Sequence, residues 1–215
     1  MKTRIVVADD QASVREGFRH ILEAEADLEV VAEAADGPGA LETVRELRPD
    51  VLLADIRMPG MDGLELTRRL VGVAPEVKVV VVTTFDLDEY VHTALRYGAC
   101  GFLLKRSGPA LLAEAVRSAV AGDALISPEI TMRLLRRYAE PRRRPYGPVE
   151  PLTAREKEIA SLVAEGLTNA DICAELFISL GTVKSHLSNL QRKLRVRNRV
   201  EIAAWAWEAG LRPGP

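Results

Sequence analysis

Short apolar runs alternate with amphipathic stretches through the first half of the chain. Ile5-Val6-Val7-Ala8, Val51-Leu52-Leu53-Ala54 and Val79-Val80-Val81-Val82 carry no polar alternation, the pattern of strands covered on both faces. The runs predict strands at 4–8, 28–33, 51–54, 77–82 and 100–104. Apolar positions at helical spacing predict helices near 13–25, 38–48, 63–72, 87–97 and 109–121. Such alternation means βαβ units, a parallel sheet and helices on both faces, with right-handed crossovers. In a flavodoxin-like order, five strands bring the ends of the first, third and fourth together. Ser13 and Ser107 sit where helix caps are expected.

The pattern changes after Gly122. Pro128 opens a short helix expected through Tyr138. Ala139 to Pro151 holds four prolines and Arg142-Arg143-Arg144, and reads as a semi-extended tether. Beyond it every periodic stretch is helical. Thr153-Ala154-Arg155-Glu156 is a capping box, and Gly166 closes its helix. Thr168 caps a second helix, Ser179 a third over about 180–194, and a last helix is expected over about 199–209. The predicted architecture is a flavodoxin-like five-stranded α/β domain at 1–122, a linker at 123–150 and an all-α domain at 151–215.

Composition sharpens this division. The net charge of −2 hides a split: residues 1–132 hold 14 Lys/Arg against 22 Asp/Glu, and residues 133–215 hold 15 against 9. An acidic half joined to a basic half suggests two jobs, with the basic half a nucleic-acid candidate. No apolar run approaches the ~20 residues of a membrane span, and Met1-Lys2-Thr3-Arg4 leads straight into a strand-like run, so no signal peptide is read. Cys100 and Cys173, far apart in apolar contexts, read as small buried residues. A cytoplasmic protein is expected.

The chemistry gathers at strand ends. Asp9-Asp10 follow the first strand, and Asp55 follows the third before Pro59-Gly60 interrupt regular structure. The carboxyl edge of an open parallel sheet is where ligands bind. Two carboxylates about 4 Å apart repel by roughly 4 kcal/mol at an effective dielectric near 20. Such a cluster calls for a hard divalent cation, and Mg²⁺ keeps open positions for water and phosphate oxygens. A carboxylate beside it can attack a phosphoryl group. Thr83 and Lys105, at the fourth and fifth strand ends, offer a hydroxyl and an ammonium to phosphate oxygens. Each alone is an ordinary strand-end residue. The conjunction is specific.

These segments resemble the receiver domain of two-component response regulators. The matching pieces are Asp9-Asp10, Asp55-Ile56-Arg57-Met58-Pro59-Gly60-Met61-Asp62-Gly63, Thr83-Thr84-Phe85-Asp86 and Gly101-Phe102-Leu103-Leu104-Lys105. The resemblance implies phosphorylation of Asp55 by a histidine kinase. It implies Mg²⁺ held by Asp10, Asp55 and the Arg57 backbone carbonyl, with Asp9 acting mainly through water. Thr83 would hydrogen-bond the phosphoryl group and Lys105 would pair with it. Phe102 occupies the position of the aromatic switch, where Tyr is frequent; without a hydroxyl, only its preference for burial discriminates the states.

In the basic half, the helix over 180–194 has Val183, Leu187, Leu190 and Leu194 on one face. The opposite face carries Ser185, Ser188, Asn189 and Arg192, flanked by Lys184 and Lys193. Six Lys/Arg and no acid lie between Leu180 and Arg199. A short helix, tight turn and basic polar-faced helix form a helix-turn-helix pattern, whose second helix can enter the major groove. Residues 152–212 also resemble the LuxR-type helix-turn-helix through Leu152–Glu156, Gly166–Ile172 and Ser179–His186. That resemblance implies base readout near Lys184, Ser185 and Ser188, and phosphate contacts from Thr182, His186, Arg192 and Lys193. It also implies a last helix that helps dimerise the domain on DNA. Together the two resemblances imply a NarL/FixJ-type response regulator: a promoter-binding homodimer when phosphorylated, with no enzyme activity beyond self-phosphotransfer and autodephosphorylation at Asp55. An Asp-nucleophile phosphatase is the rival, but those enzymes usually place a second acid where this chain has Arg57.

Overall fold

The computed structural model describes residues 2–84, 88–126 and 148–211. The helix expected over 128–138, the arginine run of the tether, and Phe85-Asp86 lie outside them.

The first half is a doubly wound α/β layer structure. Strands β1 (Thr3–Ala8), β2 (Leu28–Ala34), β3 (Val51–Ala54), β4 (Lys78–Thr83), β5 (Gly101–Leu104) and β6 (Leu125–Ile126) form one sheet in the order β2-β1-β3-β4-β5-β6. Every pairing is parallel. Five strands were expected; the sheet has a sixth, a two-residue edge piece paired through Gly101↔Leu125 and Phe102↔Ile126, inside the span read as linker. Helices α1 (Ala12–Glu23), α2 (Gly37–Leu47), α3 (Gly63–Val73), α4 (Asp88–Tyr97) and α5 (Pro109–Ala121) cover the faces.

Burial explains the apolar runs. All four residues of β3 are buried. On one face Ile5, Val7, Leu53 and Val80 pack with Phe18, Leu22, Leu112 and Val116 of α1 and α5. On the other, Val6, Leu52 and Val79 pack with Leu41, Val44, Leu66 and Leu70 of α2 and α3. Each such side chain contributes about 1.5–3 kcal/mol on burial, so a polar residue would cost the sheet at either face. The expected serine caps are not used. Helix α1 begins behind Gln11 and α5 behind Gly108, where Pro109 presets the first turn without a capping side chain.

The second half is helical: α6 (Ala154–Ala164), α7 (Asn169–Leu176), α8 (Leu180–Leu194) and α9 (Arg199–Glu208). Thr153 and Thr168 each form a complete capping box, and Ser179 and Asn198 cap α8 and α9 through their side chains. Val183, Leu187, Leu190 and Leu194 of α8 enter one core with Ile159, Val163, Ile172 and Ile202, as their spacing predicts. No helix among the described residues is long and apolar enough to cross a membrane, and both cysteines are free.

Candidate metal centre and nucleic-acid interface

The sheet brings the acidic strand ends together. Asp55 leaves β3 with its amide bonded to Ala8 O at 2.9 Å, so β1 positions it. Carboxylate oxygens of Asp9, Asp10 and Asp55 all lie within 4.8 Å of one another. Asp9 and Asp55 are buried and Asp10 is exposed. Gly63, which opens α3, makes the close approach possible: a Cβ there would lie 2.1 Å from Asp55 O.

Lys105 stands over two of the three. Its Nζ donates to Asp55 Oδ2 at 2.9 Å and lies 2.6 Å from Asp9 Oδ2. Asp9 Oδ2 is buried, and the Lys105 ammonium at ion-pair distance is what offsets its charge. Burial, the largest influence, pushes the Asp9 carboxyl above its ordinary range, while Lys105 and the Gln11 amide pull the other way. Burial would lower the Lys105 ammonium, but the two carboxylates outweigh it and hold it above the usual lysine value.

Three carboxylates face one ammonium, so the ionised cluster lacks two positive charges. A divalent cation would make up that deficit, and three carboxylates within 4.8 Å of one another could share it. The donor set is all oxygen, as Mg²⁺ requires. Arg57 is exposed on the loop after Asp55. Beside it an open depression of about 400 Å³ is lined by Asp10, Arg57, Asp62, Leu64 and Tyr90. Thr83 is fully buried at the end of β4, and its carbonyl accepts from Lys105 N at 2.8 Å. The following Thr84 is exposed. Phe102 is fully buried, packed with Ile56, Leu64, Val81, Val91 and Leu95.

On the basic half, Thr182, Lys184, Ser185, Ser188, Asn189 and Arg192 are exposed along α8, and His186 and Lys193 are half-buried. Ser185 Oγ bonds back to Gly181 O at 2.9 Å, and Thr182 Oγ1 shares a bond with Ser179 Oγ. Two of the basic residues are engaged within the domain. Arg192 is ion-paired with Glu150. Lys193 turns inward: its Nζ donates to Glu156 Oε2 at 2.8 Å and to Pro151 O at 3.3 Å. Burial acts to raise the Glu156 pKa, but Lys193 and the Thr153 donors hold it below the usual carboxylate value.

The halves also meet, which the sequence did not reveal. Lys184 Nζ reaches Val120 O at the end of α5 at 3.4 Å. Asp123 Oδ1 accepts from Asn169 N at 3.1 Å and lies 3.2 Å from Arg199 Nη1. Asn198 and Arg197 donate to carbonyls at the end of α4. The candidate base-reading lysine, though exposed, therefore touches the first half.

Comparison with known proteins agrees with this geometry. Residues 5–117 match the response regulator receiver domain, and residues 150–206 match the bacterial regulatory proteins of the luxR family. The chain is 39% identical to the transcriptional regulatory protein LiaR of Bacillus subtilis over 94% of this chain and 96% of that one. Among solved structures it is similar to the response regulator ChrA of a heme-sensing two-component system, at 37% identity, TM-score 0.54 and 98% coverage of both chains. It is also similar to RcsB, solved as two dimers bound to two parallel DNAs, at 26% identity, TM-score 0.58, 97% of this chain and 99% of that one. The chain belongs to the two-component response regulators of the NarL/FixJ type, with a receiver domain followed by a LuxR-type DNA-binding domain.

Proposed function

We propose that Asp55 accepts a phosphoryl group from a histidine kinase in the presence of Mg²⁺, and that this controls exposure of α8 to promoter DNA. The supporting observation is the convergence of Asp9, Asp10, Asp55, Thr83 and Lys105 at one sheet edge. Asp10, Asp55 and the Arg57 carbonyl would hold the metal, with Asp9 alongside. When bound, Mg²⁺ supplies the positive charge that lets a carboxylate and a phosphoryl group approach.

The chain's own residues do the rest. An Asp55 oxygen forms the new O–P bond as the P–N bond to the donor histidine breaks, and the nitrogen keeps the electron pair. Lys105 already contacts the reacting carboxylate and would turn to a phosphoryl oxygen. Thr83 would donate its hydroxyl to another. Hydrolysis by water would return the carboxylate, and these two self-directed steps are the only chemistry proposed. Engaging Thr83, whose strand partner Leu104 belongs to the Phe102 cluster, would disturb that cluster and with it the seam against the DNA-binding half.

Two findings support control by uncovering. Lys184 contacts Val120 O across the seam between the halves. RcsB, similar over nearly the whole chain, is solved as dimers on DNA, so a released α8 with dimerisation through α9 is the state proposed to bind. The test is labelling with acetyl phosphate and Mg²⁺, read by intact mass. The wild type should gain one phosphoryl mass and Asp55→Asn none. Equal labelling of Asp55→Asn would move the acceptor elsewhere.

A further inference from the structure

Asn198 does two jobs with one side chain. Its Oδ1 accepts from Glu201 N at 2.9 Å and so caps the start of α9. Its Nδ2 donates to Leu95 O at 2.5 Å and Ala99 O at 3.2 Å, across the seam. Those carbonyls lie at the end of α4 and in the turn into β5; Leu95 O also accepts from Gly98 N at 3.0 Å. Arg197 Nη1 adds a third donation, to Arg96 O at 2.8 Å. The negative end of α4 thus faces the positive end of α9, a favourable pairing of helix dipoles, and Asn198 is only 3% exposed.

The place it grips matters. Leu95 and Ala99 belong to the apolar cluster that contains Phe102, and Val200 of α9 packs against that same cluster. A shift of Phe102 would press on the residues whose carbonyls Asn198 holds. Hydrogen bonds weaken steeply with misalignment, so a small displacement suffices. A cavity of about 330 Å³, bordered by Val71, Lys78, Gly98, Val196 and Arg197, lies beside the clasp. The other anchor, Asp123 with Asn169 and Arg199, lies on the turn after α5 and outside the Phe102 cluster.

We propose that Asn198 is the positioning residue through which the receiver's α4–β5 corner holds or releases the DNA-binding domain, by clasping the Leu95 and Ala99 carbonyls. This rests on the phosphorylation reading above. When the corner moves, the amide turns to water while the oxygen keeps its cap, so release leaves α9 intact.

Asn198→Asp separates the two jobs. The carboxylate still caps α9 but has no donors, and it sets negative charge against two carbonyls. Small-angle scattering of the full chain, with and without beryllofluoride and Mg²⁺ as the phosphoryl mimic, reads the docking. Wild type should expand on adding the mimic. Asn198→Asp should be expanded already and change little, and it should bind a labelled non-specific duplex about fivefold or more tightly without the mimic. Far-ultraviolet dichroism should match wild type, showing that α9 still forms. Asp123→Asn should loosen docking yet still respond to the mimic. If Asn198→Asp is as compact as wild type, the clasp is not what holds the domains. If wild type does not expand with the mimic while Asn198→Asp is open, the phosphorylation reading fails and the clasp is a static dock.

Discussion

Two lysines in this chain sit against buried carboxylates, and they are built for opposite ends. Lys193 faces Glu156 one to one: Glu156 Oε2 also accepts from Thr153 N at 2.8 Å and Thr153 Oγ1 at 3.0 Å. The charges balance and the acceptor is satisfied. Lys105 faces Asp9 and Asp55, with Asp10 close by, so one ammonium serves three carboxylates. The first arrangement is a strut. The second is unbalanced in the direction that favours a cation, in keeping with the reacting carboxylate proposed above. Similar residue types yield structure or chemistry according to stoichiometry and which strand ends or helix turns supply them.

Loss of a partner should hurt the strut most. Glu156→Gln leaves the Lys193 ammonium without its counter-charge in a half-buried place, costing about 1–3 kcal/mol. Trp205 and Trp207 are the chain's two tryptophans, so fluorescence-detected unfolding follows the DNA-binding half alone. Asp9→Asn, in contrast, removes one of three crowded like charges. Without Mg²⁺ it should leave receiver stability within about 1 kcal/mol of wild type, or raise it, by calorimetry. If Asn at position 9 proves as damaging as Gln at 156, the distinction between balanced and unbalanced clusters is wrong.

A smaller effect sharpens the same contrast on α8. Lys184→Ala should weaken promoter binding by about 1–3 kcal/mol and leave tryptophan-detected stability unchanged. Lys193→Ala should do the reverse, lowering stability while the salt slope of DNA binding stays put. A slope reduced by about one unit would return Lys193 to the phosphate-contact role that its sequence position suggests.

The acidic edge was legible because each member ends a wholly apolar run, and parallel winding fixes which run ends are neighbours. Asp9, Asp10, Asp55, Thr83 and Lys105 follow from that together with a flavodoxin-like strand order. The helix caps at Thr153, Thr168 and Ser179 carry their own local chemistry and were equally readable. Other features have no such signature. Strand β6 is two residues long, too short to show a period. Lys193 looked like its exposed neighbours because sign of charge does not say which way a side chain turns. A Glu at the third position of a capping box, next to a core, was the available hint. The seam was hidden more deeply, since Leu95, Ala99 and Val120 take part through backbone carbonyls that every residue owns. Asn198 caps α9 through its oxygen, and nothing local announces the second use of its amide.

Hydrogen–deuterium exchange of the full chain, with and without beryllofluoride and Mg²⁺, joins the site to the seam in one experiment. Peptides covering Ala94–Cys100 and Leu167–Ile172 carry the backbone on which the halves meet. Their exchange should accelerate with the mimic in wild type and stay unchanged in Asp55→Asn. Equal exchange with and without the mimic in wild type, with the mimic bound, would contradict control of the DNA-binding half from the acidic edge.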